Sequence, residues 1–395
     1  MTHDTNIPQG YKATALGIIP QEWEVKTLGN IAEINPSKGK ITSKVVTFLA
    51  MSDISEQGGV INENILPIDS IKPGLTPFRK GDVIIAKITP CFENGKGALL
   101  DKITKDDGFG STEFHVIRCQ QDNKFVYYHT QSYAFRKRLE SQMTGSAGQK
   151  RVPADSVAAY KIAVPPLAEQ RKIAEVLGVW DEAIEKQVRL VERLALRKRG
   201  LMQRLLSAKL RLPGFSEPWK EQKINKITTI KKGEQVNKDV LFSNAKYPVI
   251  NGGITPSGYL DTYNTKANTI TISEGGNSCG YVNFMTTPFW SGGHCYTIDA
   301  KDGINNLFIY QLLKNNEKYI MSLRVGSGLP NIQIKNLGNI KFMIPSYQEQ
   351  TAIAEVLTAA DREIELAKEK LERLRRQKRG LMQQLLSGKK RIAYF

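Results

Sequence analysis

Cysteines and long apolar runs are both scarce in this chain. Its 395 residues include only four cysteines, and no two of them form a CxxC pair: Cys91, Cys119, Cys279 and Cys295. This spacing supports neither a disulfide framework nor a zinc ribbon, so we expect ordinary reduced thiols. No apolar run approaches the ~18 residues that a membrane-spanning helix needs, and the first residues lack the apolar stretch of a signal peptide. The sequence therefore predicts a cytoplasmic globular protein.

Motifs for catalysis are also missing. The chain contains neither the GxxxxGK[ST] phosphate cradle nor the HExxH zinc motif, and the segment GSAGQKR, which begins at Gly145, has the wrong spacing for a phosphate cradle. The proline-proline-aromatic signature expected of an amino-methyltransferase is absent too. Isolated acids such as Asp53, Asp82 and Glu113 could in principle serve a nuclease, but unpaired acids are usually structural. We therefore expect that the chain is not an enzyme.

Acidic residues are outnumbered by basic ones. The 56 Lys and Arg residues stand against 39 Asp and Glu residues, and the formal net charge is +17. The pI is about 9.5. This excess predicts a polyanionic partner, of which nucleic acid is the first interpretation and a membrane surface is the alternative.

The sequence contains an internal repeat. The segment LAEQRKIAEVL from Leu167 returns as YQEQTAIAEVL from Tyr347, and KRGLMQRLLS from Lys198 returns as KRGLMQQLLS from Lys378. About half of the positions are identical over the two full segments, which align without gaps. Upstream of each segment lies a tryptophan motif, IPQEWEVKTL with Trp23 and FSEPWKEQKI with Trp219. Each repeat therefore opens with a tryptophan motif and closes with a long helix.

The strand-like and helical patterns come in the same order in both repeats. Short apolar runs separated by glycine-rich turns precede a helical segment and a final strand. The sequence therefore predicts the α+β class, with two globular modules and an antiparallel coiled coil of two long helices that separates them, related by internal pseudo-twofold symmetry. The predicted segments are an N-terminal tail (1–18), a first module (19–164), a first long helix (165–209), a second module (210–344), a second long helix (345–388) and a C-terminal tail (389–395).

Both long helices carry an apolar seam. About 40 residues at 1.5 Å each give a rod of roughly 60 Å, and steps of three and four residues select the seam of a coiled coil. A lysine recurs at one seam position and is expected to fix the register, and a nearby glycine is expected to allow close approach of the helices. The pairing residues are Leu177, Trp180, Ile184, Lys198, Gly200 and Leu201 in the first helix and Leu357, Ile364, Leu371, Lys378, Gly380 and Leu381 in the second.

Polar and basic side chains concentrate at strand ends in both modules. The segment KITPCFENGKG from Lys87 combines lysines and amides that suit phosphates and base edges, and GSAGQKR offers backbone N–H groups and two cations to a phosphate. Ordinary surface loops are the alternative. The candidate DNA-binding residues are Lys87, Thr89, Asn94, Lys96, Ser111, Thr112, His115, Lys150 and Arg151 in the first module and Asn277, Ser278, Ser291, His294, Arg324, Ser327 and Asn331 in the second.

This layout resembles the specificity subunit of type I restriction–modification systems. The segment IPQEWEVKTLGNIAEI is similar to the family's opening segment, and KITPCFENGKG with GSTEFH is similar to one common class of its target recognition domains. The two copies that end in KRGLMQRLLS and KRGLMQQLLS are similar to its repeated helical regions. The resemblance implies a non-catalytic DNA reader in which each module binds one half of a split, asymmetric target while the helices set the spacing.

The resemblance also implies partners. These are double-stranded DNA, two adenine methyltransferase subunits and nuclease subunits that translocate DNA. It implies no cofactor in this chain, with S-adenosylmethionine, ATP and magnesium on the other subunits. The basic helical segments would then be two equivalent docking surfaces, although a solvated helix face is the alternative. A different function is a stand-alone DNA-binding repressor or architectural protein that dimerises through its helices.

Overall fold

A computed structural model describes residues 7–39, 41–146, 148–326 and 330–392. The chain forms two compact units. The first consists of Met1–Lys186 with Leu371–Phe395, and the second consists of Gln187–Lys370. Each long helix contributes one end to each unit, so that a unit contains one module and parts of both helices.

The first unit contains short strands, four short helices and the beginning of a long helix. The strands are β1 (Tyr11–Thr14), β2 (Gly17–Pro20), β3 (Glu24–Thr27), β4 (Ala32–Ile34), β5 (Val45–Leu49), β6 (Asn64–Pro67), β7 (Thr76–Arg79), β8 (Val83–Ala86), β9 (Gly97–Leu99), β10 (Asp107–Gly110), β11 (Phe114–Cys119) and β12 (Lys161–Val164). The helices are α1 (Leu28–Ile31), α2 (Asn123–Gln131), α3 (Tyr133–Glu140), α4 (Ala154–Ala158) and α5 (Leu167–Leu205).

The second unit has the same kinds of element. The strands are β13 (Lys220–Lys223), β14 (Thr228–Lys232), β15 (Tyr247–Ile250), β16 (Gly258–Leu260), β17 (Thr269–Ser273), β18 (Val282–Met285), β19 (Trp290–Ser291), β20 (Cys295–Ala300) and β21 (Lys341–Ile344). The helices are α6 (Ile224–Ile227), α7 (Asn306–Asn315), α8 (Glu317–Ser322), α9 (Ile334–Gly338) and α10 (Tyr347–Leu386).

The two modules share one sheet topology. An antiparallel sheet with the order β4-β11-β8-β9 in the first module corresponds to β14-β20-β17-β18 in the second. A second sheet contains one parallel pair in each module, β5 with β10 and β15 with β19. The strand before the long helix pairs with the strand after the tryptophan motif, as β12 with β3 and β21 with β13. The predicted α+β class is confirmed, and the repeat extends to parts of the sequence that show no similarity.

Local sequence explains the elements that support these sheets. The central strands β8 and β17 are buried along their whole length, which suits their runs of Val, Ile and Thr. Asp122 and Ser132 begin α2 and α3 because their side chains accept hydrogen bonds from the N–H groups of Phe125 and Phe135. Asn305 caps α7 in the same way. The helices then pack their apolar faces on the sheets and complete one main core in each unit.

In each unit the two long helices run antiparallel. In the second unit Gln187 donates to the carbonyl of Ala367 at 2.9 Å, and Lys198 pairs with Asp361 at 2.5 Å. In the first unit Lys378 makes the equivalent ion pair with Asp181 at 2.5 Å. The predicted pairing positions are buried or half-buried apart from Gly380, which is exposed. The predicted antiparallel pairing is therefore confirmed within each unit, and the recurring lysines pair with acids that recur as well.

The expected role of the two helical glycines is wrong. A Cβ atom added to Gly200 or Gly380 would meet no other group within 4 Å. Close helix packing therefore does not require glycine at either position.

A cluster of three side chains fastens each long helix to the tryptophan motif. In the first unit the indole N–H of Trp23 donates to Glu169 at 2.9 Å, and Arg391 binds the same carboxylate at 2.7 Å. In the second unit Trp219, Glu349 and Arg211 repeat this cluster, with distances of 3.1 Å and 2.6 Å. Both carboxylates are 1% exposed. Arg391, in the segment after α10, thus binds the buried acid of the first unit, and Arg211, in the segment after α5, binds the equivalent acid of the second unit.

Membrane insertion through a helix has no support in the described residues. None of their helices combines the length and apolar character that crossing a bilayer demands.

Candidate nucleic-acid interface

Three loops meet at one backbone junction in the first module. The N–H of Lys87 donates to the carbonyl of Glu113, and the carbonyl of Lys87 accepts from the N–H of Val152, both at 2.9 Å. Ile88 also forms an isolated bridge with Arg151. The junction therefore joins the loop after β8, the turn before β11 and the segment GSAGQKR. Sequence-predicted residues from all three segments come together there.

Several of these side chains are fixed by protein groups. Arg151 makes a two-pronged ion pair with Glu113, whose oxygens lie 2.8 to 3.2 Å from the guanidinium nitrogens. The hydrogen bond from Arg151 lowers the pKa of Glu113, against the opposing effect of burial. Lys96 donates to the carbonyl of Met51 at 2.9 Å, and Thr89 donates to Glu93 at 3.0 Å. Hydrogen bonds within the protein therefore fix the orientation of these three side chains.

Other predicted residues of the first module lie at the surface. Asn94 and Lys150 are exposed, and so is Thr112. The amide of Asn94 donates to Glu56 at 2.9 Å, which fixes the orientation of the exposed side chain. Ser111 is half-buried, and its hydroxyl accepts from the N–H of Glu113. Asn94 and Lys150 are consequently the predicted residues best placed to reach a ligand.

His115 lies inside the module. It is 4% exposed, and burial lowers its pKa, so the ring is neutral near pH 7. Its Nε2 lies 2.8 Å from the carbonyl of Val152, which can only accept, so Nε2 carries the proton. Its Nδ1 faces the amide of Asn35. The structure therefore places His115 in the interior, contrary to the prediction that it contacts DNA. Both ring nitrogens bind protein groups beneath the junction.

The second module contains the same backbone junction. The N–H of Glu274 donates to the carbonyl of His294 at 2.9 Å, and the carbonyl of Glu274 accepts from the N–H of Ile332 at 2.8 Å. Gly275 forms an isolated bridge with Asn331. These bonds match those of Lys87, so Glu274 takes its place and His294 takes the place of Glu113. Tyr296 likewise braces the junction through the Ile332 carbonyl at 2.9 Å.

The side chains at the second junction differ from those at the first. Glu274 is 8% exposed and accepts from Lys232 at 2.6 Å and from the Tyr296 hydroxyl at 3.0 Å. Burial alone raises the pKa of Glu274, but these hydrogen bonds outweigh it and the pKa lies below the ordinary value. Nδ1 of the exposed His294 lies 3.3 Å from the second carboxylate oxygen. A buried acid thus replaces the lysine of the first junction.

The remaining predicted residues of the second module are divided between surface and interior. Asn277, Arg324 and Asn331 are exposed, and Ser278 is half-buried. Ser291 is 1% exposed, so the structure places it in the interior, contrary to the prediction that it contacts DNA. Ser327 lies outside the described residues.

One short hydrolase motif occurs in the second module. Residues 276–280 read GNSCG and match the GxSxG pattern. The motif needs a sharp turn from a strand into a helix, whereas here it joins the antiparallel strands β17 and β18. The Ser278 hydroxyl donates to the carbonyl of Gly252 at 2.7 Å. The segment is therefore a hairpin loop at the junction and lacks the geometry of a nucleophile elbow.

The isolated acids of the first module have structural partners. Asp82 binds Arg118 at 2.7 Å, and Asp53 accepts from Asn62, Asn64 and the N–H of Ala50. The described part of the chain has no group of three or more acids, histidines or cysteines placed to hold a metal ion. Both acids therefore bind groups of the protein itself.

Sequence reasoning missed several residues of both sites. Glu274 and Lys232 belong to no motif, and neither does Arg136, which lies beneath the loop after β8. Their roles depend on hydrogen bonds between segments distant in sequence. The repeat offered a signal for Arg211 and Arg391, because both follow the shared LLS segment at the same distance.

Known proteins share both the sequence and the fold. The family described as "Type I restriction modification DNA specificity domain" matches residues 20–192 and 216–376. The specificity subunit of the EcoAI type I restriction enzyme from Escherichia coli is 42% identical over 160 residues, which are 39% of this chain and 27% of that subunit. The putative MjaX specificity subunit from Methanocaldococcus jannaschii is 25% identical over 97% of either chain. The chain thus spans about a quarter of the EcoAI subunit but nearly all of the MjaX subunit.

Solved structures show the same fold. The crystal structure of a type I restriction-modification S subunit from M. genitalium aligns with a TM-score of 0.65 and 19% identity over 98% of each chain. A chain from a study of complex assembly in the type I restriction-modification system gives a TM-score of 0.60 and 19% identity, over 94% of this chain and 99% of that one. With the fold established and the family profile matching both halves, the chain belongs to the family of type I restriction modification DNA specificity domains.

Proposed function

We propose that the chain is the non-catalytic specificity subunit of a type I restriction–modification complex. Each module reads one half of a bipartite, asymmetric DNA target. The observation that carries the proposal is the shared junction, in which the same backbone bonds present Lys87, Glu113 and Arg151 in one module and Glu274, His294 and Asn331 in the other. A common frame with different side chains is what two readers of different sequences need.

The charge of the chain supports DNA as the ligand. A formal net charge of +17 favours attraction to phosphates, which supplies affinity without specificity. Exposed lysine, amide and arginine side chains around the junctions, such as Lys150, Asn277 and Arg324, can then contact phosphates and base edges. DNA is therefore a better proposal than an anionic membrane surface.

The proposed partners are two adenine methyltransferase subunits and nuclease subunits that translocate DNA. In this proposal S-adenosylmethionine, ATP and magnesium are used by those subunits, and this chain holds no cofactor. Co-expression with a type I methyltransferase subunit from the same genome tests the assignment. A complex of two methyltransferases with one chain supports it, whereas a chain that forms a homodimer and binds its site alone supports a stand-alone repressor.

Asn94→Ala is expected to weaken discrimination at one half-site only. An amide that contacts a base contributes ~1–3 kcal/mol, which corresponds to roughly 5- to 150-fold in relative affinity. The measurement is methylation, by the assembled complex, of duplexes that carry single-base changes in either half of the target. Gln120→Ala is the matched control, because Gln120 is also exposed but follows the far end of β11. Unchanged discrimination in the Asn94 variant rejects its role in base recognition.

A further inference from the structure

The loop after β8 is held from beneath by a buried arginine. Arg136 lies in α3 and is only 8% exposed. Its guanidinium donates to the carbonyls of Phe92 and Gly95, both at 3.2 Å, and to that of Lys96 at 3.5 Å. The same side chain donates to the carbonyl of Thr130, near the end of α2, at 2.8 Å. One residue thus connects the loop to two helices.

The loop itself is a compact turn that carries Asn94 to the surface. The N–H of Asn94 donates to the carbonyl of Pro90, and the N–H of Gly95 donates to the carbonyl of Phe92, both at 3.0 Å. The carbonyl of Phe92 thus already accepts one backbone hydrogen bond, and the carbonyl of Lys96 accepts another from the N–H of Ala86 at 3.0 Å. Arg136 adds a donor to each of these carbonyls and to that of Gly95. Its guanidinium also lies 4.8 Å from the centre of the buried Phe92 ring. The turn is therefore closed above by its own bonds and below by Arg136.

A cation in this position is costly. Within the described residues Arg136 has no ion pair with a carboxylate, and burial lowers its pKa to about 10. A buried charge without an opposite charge persists only where hydrogen bonds satisfy it, and a leucine or methionine would fill the space at lower cost. A guanidinium is the side chain whose fixed fork can hold several carbonyls at once. A buried arginine at this position therefore indicates that the backbone of the loop has to be held in one conformation.

We propose that Arg136 is a positioning residue for DNA recognition by the first module. It fixes the backbone of residues 92–96 so that Asn94 is presented in one orientation, and it does not contact DNA itself. The inference rests on the proposed function, because it assumes that this loop reads one half-site. It adds that half-site discrimination depends on a residue buried beneath the reading surface.

Two substitutions and a control test the proposal in the assembled complex. Arg136→Met removes all donors at similar length, Arg136→Lys keeps the charge but loses the fork, and Arg138→Met removes an exposed cation from the same helix. The probe is a duplex with the motif that the wild-type complex methylates in genomic DNA, together with versions altered in the first or the second half. The readout is the ratio of methylation rates on cognate and altered duplexes, at a temperature well below unfolding.

The expected result is confined to one half of the target. Arg136→Met should reduce discrimination at the first half-site by roughly tenfold or more, with Arg136→Lys intermediate and Arg138→Met unchanged. Discrimination at the second half-site should stay at the wild-type ratio in all three variants. Amide exchange in residues 92–96 should quicken in Arg136→Met, because the loop loses its support.

Two outcomes overturn the inference. One is a folded Arg136→Met or Arg136→Lys variant with wild-type discrimination at the first half-site, while Asn94→Ala loses it. The other is an equal loss of activity on every duplex, which indicates a structural role alone. These outcomes can be distinguished from failure of the proposed function. If the modules do not read DNA, exchange of the whole first module leaves the methylated target unchanged.

Discussion

Replacing Arg391 with methionine is expected to lower the unfolding temperature of the first unit by roughly 6–12 °C. The substitution leaves the carboxylate of Glu169, which is 1% exposed, without its cationic partner. Breaking a buried pair costs ~3–5 kcal/mol, and we use the lower value because the Arg391 side chain is 32% exposed. A loss of ~3 kcal/mol in a unit of this size gives the stated shift.

The measurement is thermal unfolding followed by tryptophan fluorescence and calorimetry. Lys389→Met is the control, because Lys389 is exposed and lies two residues away. Arg391→Met/Glu169→Gln should recover much of the loss, since no unpaired charge then remains buried. Arg211→Met is the mirror variant, and its loss should fall on the transition of the second unit, which contains Glu349 and Trp219. An Arg391→Met variant that unfolds like wild type contradicts the role given to the cluster.

Exchange of the first module is expected to replace one half of the DNA target and leave the other half unchanged. The exchanged segment runs from 28 to 160, so that Trp23, Glu169 and the pairing of β3 with β12 stay native. Specific sites are typically preferred over other DNA by 10³-fold or more, so loss of one half should abolish methylation of the original target. The new target should combine the donor's first half with the native second half.

Methylation patterns in genomic DNA measure this exchange directly. The reciprocal exchange of the second module is the matched control, and it should alter the other half only. Loss of both halves in a variant that still assembles with the methyltransferase argues against independent reading. Retention of the original target in both exchanges rejects DNA reading by the modules.

The sequence predicted the fold class and the antiparallel helices because those features depend on local patterns. A seam such as Leu177, Ile184 and Leu201 recurs every three or four residues, and a helix with that stripe needs a partner. The repeat supplied the partner, since each copy carries the same stripe. The pairing of Lys198 with Asp361 follows the same logic, although only the structure shows which acid each lysine meets.

The candidate site was harder to predict because it is formed by contacts between distant segments. Polarity alone selected His115 and Ser291, but both side chains are buried. The His115 ring binds the backbone at the junction and does not face a ligand. Glu274 was missed because an acid at a DNA-binding site conflicts with the charge pattern, and its partners Lys232 and Tyr296 come from other strands. Arg136 was missed because a basic residue on a short helix usually lies in solvent.

The equivalence of the two sites was visible only in part. The sequence showed the same order of strand-like and helical patterns in both repeats, and the structure gives Arg151 and Asn331 equivalent places beside the two junctions. The equivalence of Lys87 with Glu274 could not be predicted from the residue types. It consists of backbone hydrogen bonds, which residues with different side chains can form equally.

Genome-wide adenine methylation by a complex of the wild-type chain with methyltransferase subunits, expressed in a host without methylation of its own, shows most directly whether each module reads one half of a split target. We expect one asymmetric motif with two short defined parts, separated by a fixed number of undefined bases. A continuous or palindromic motif, or methylation that does not depend on the chain, would contradict it.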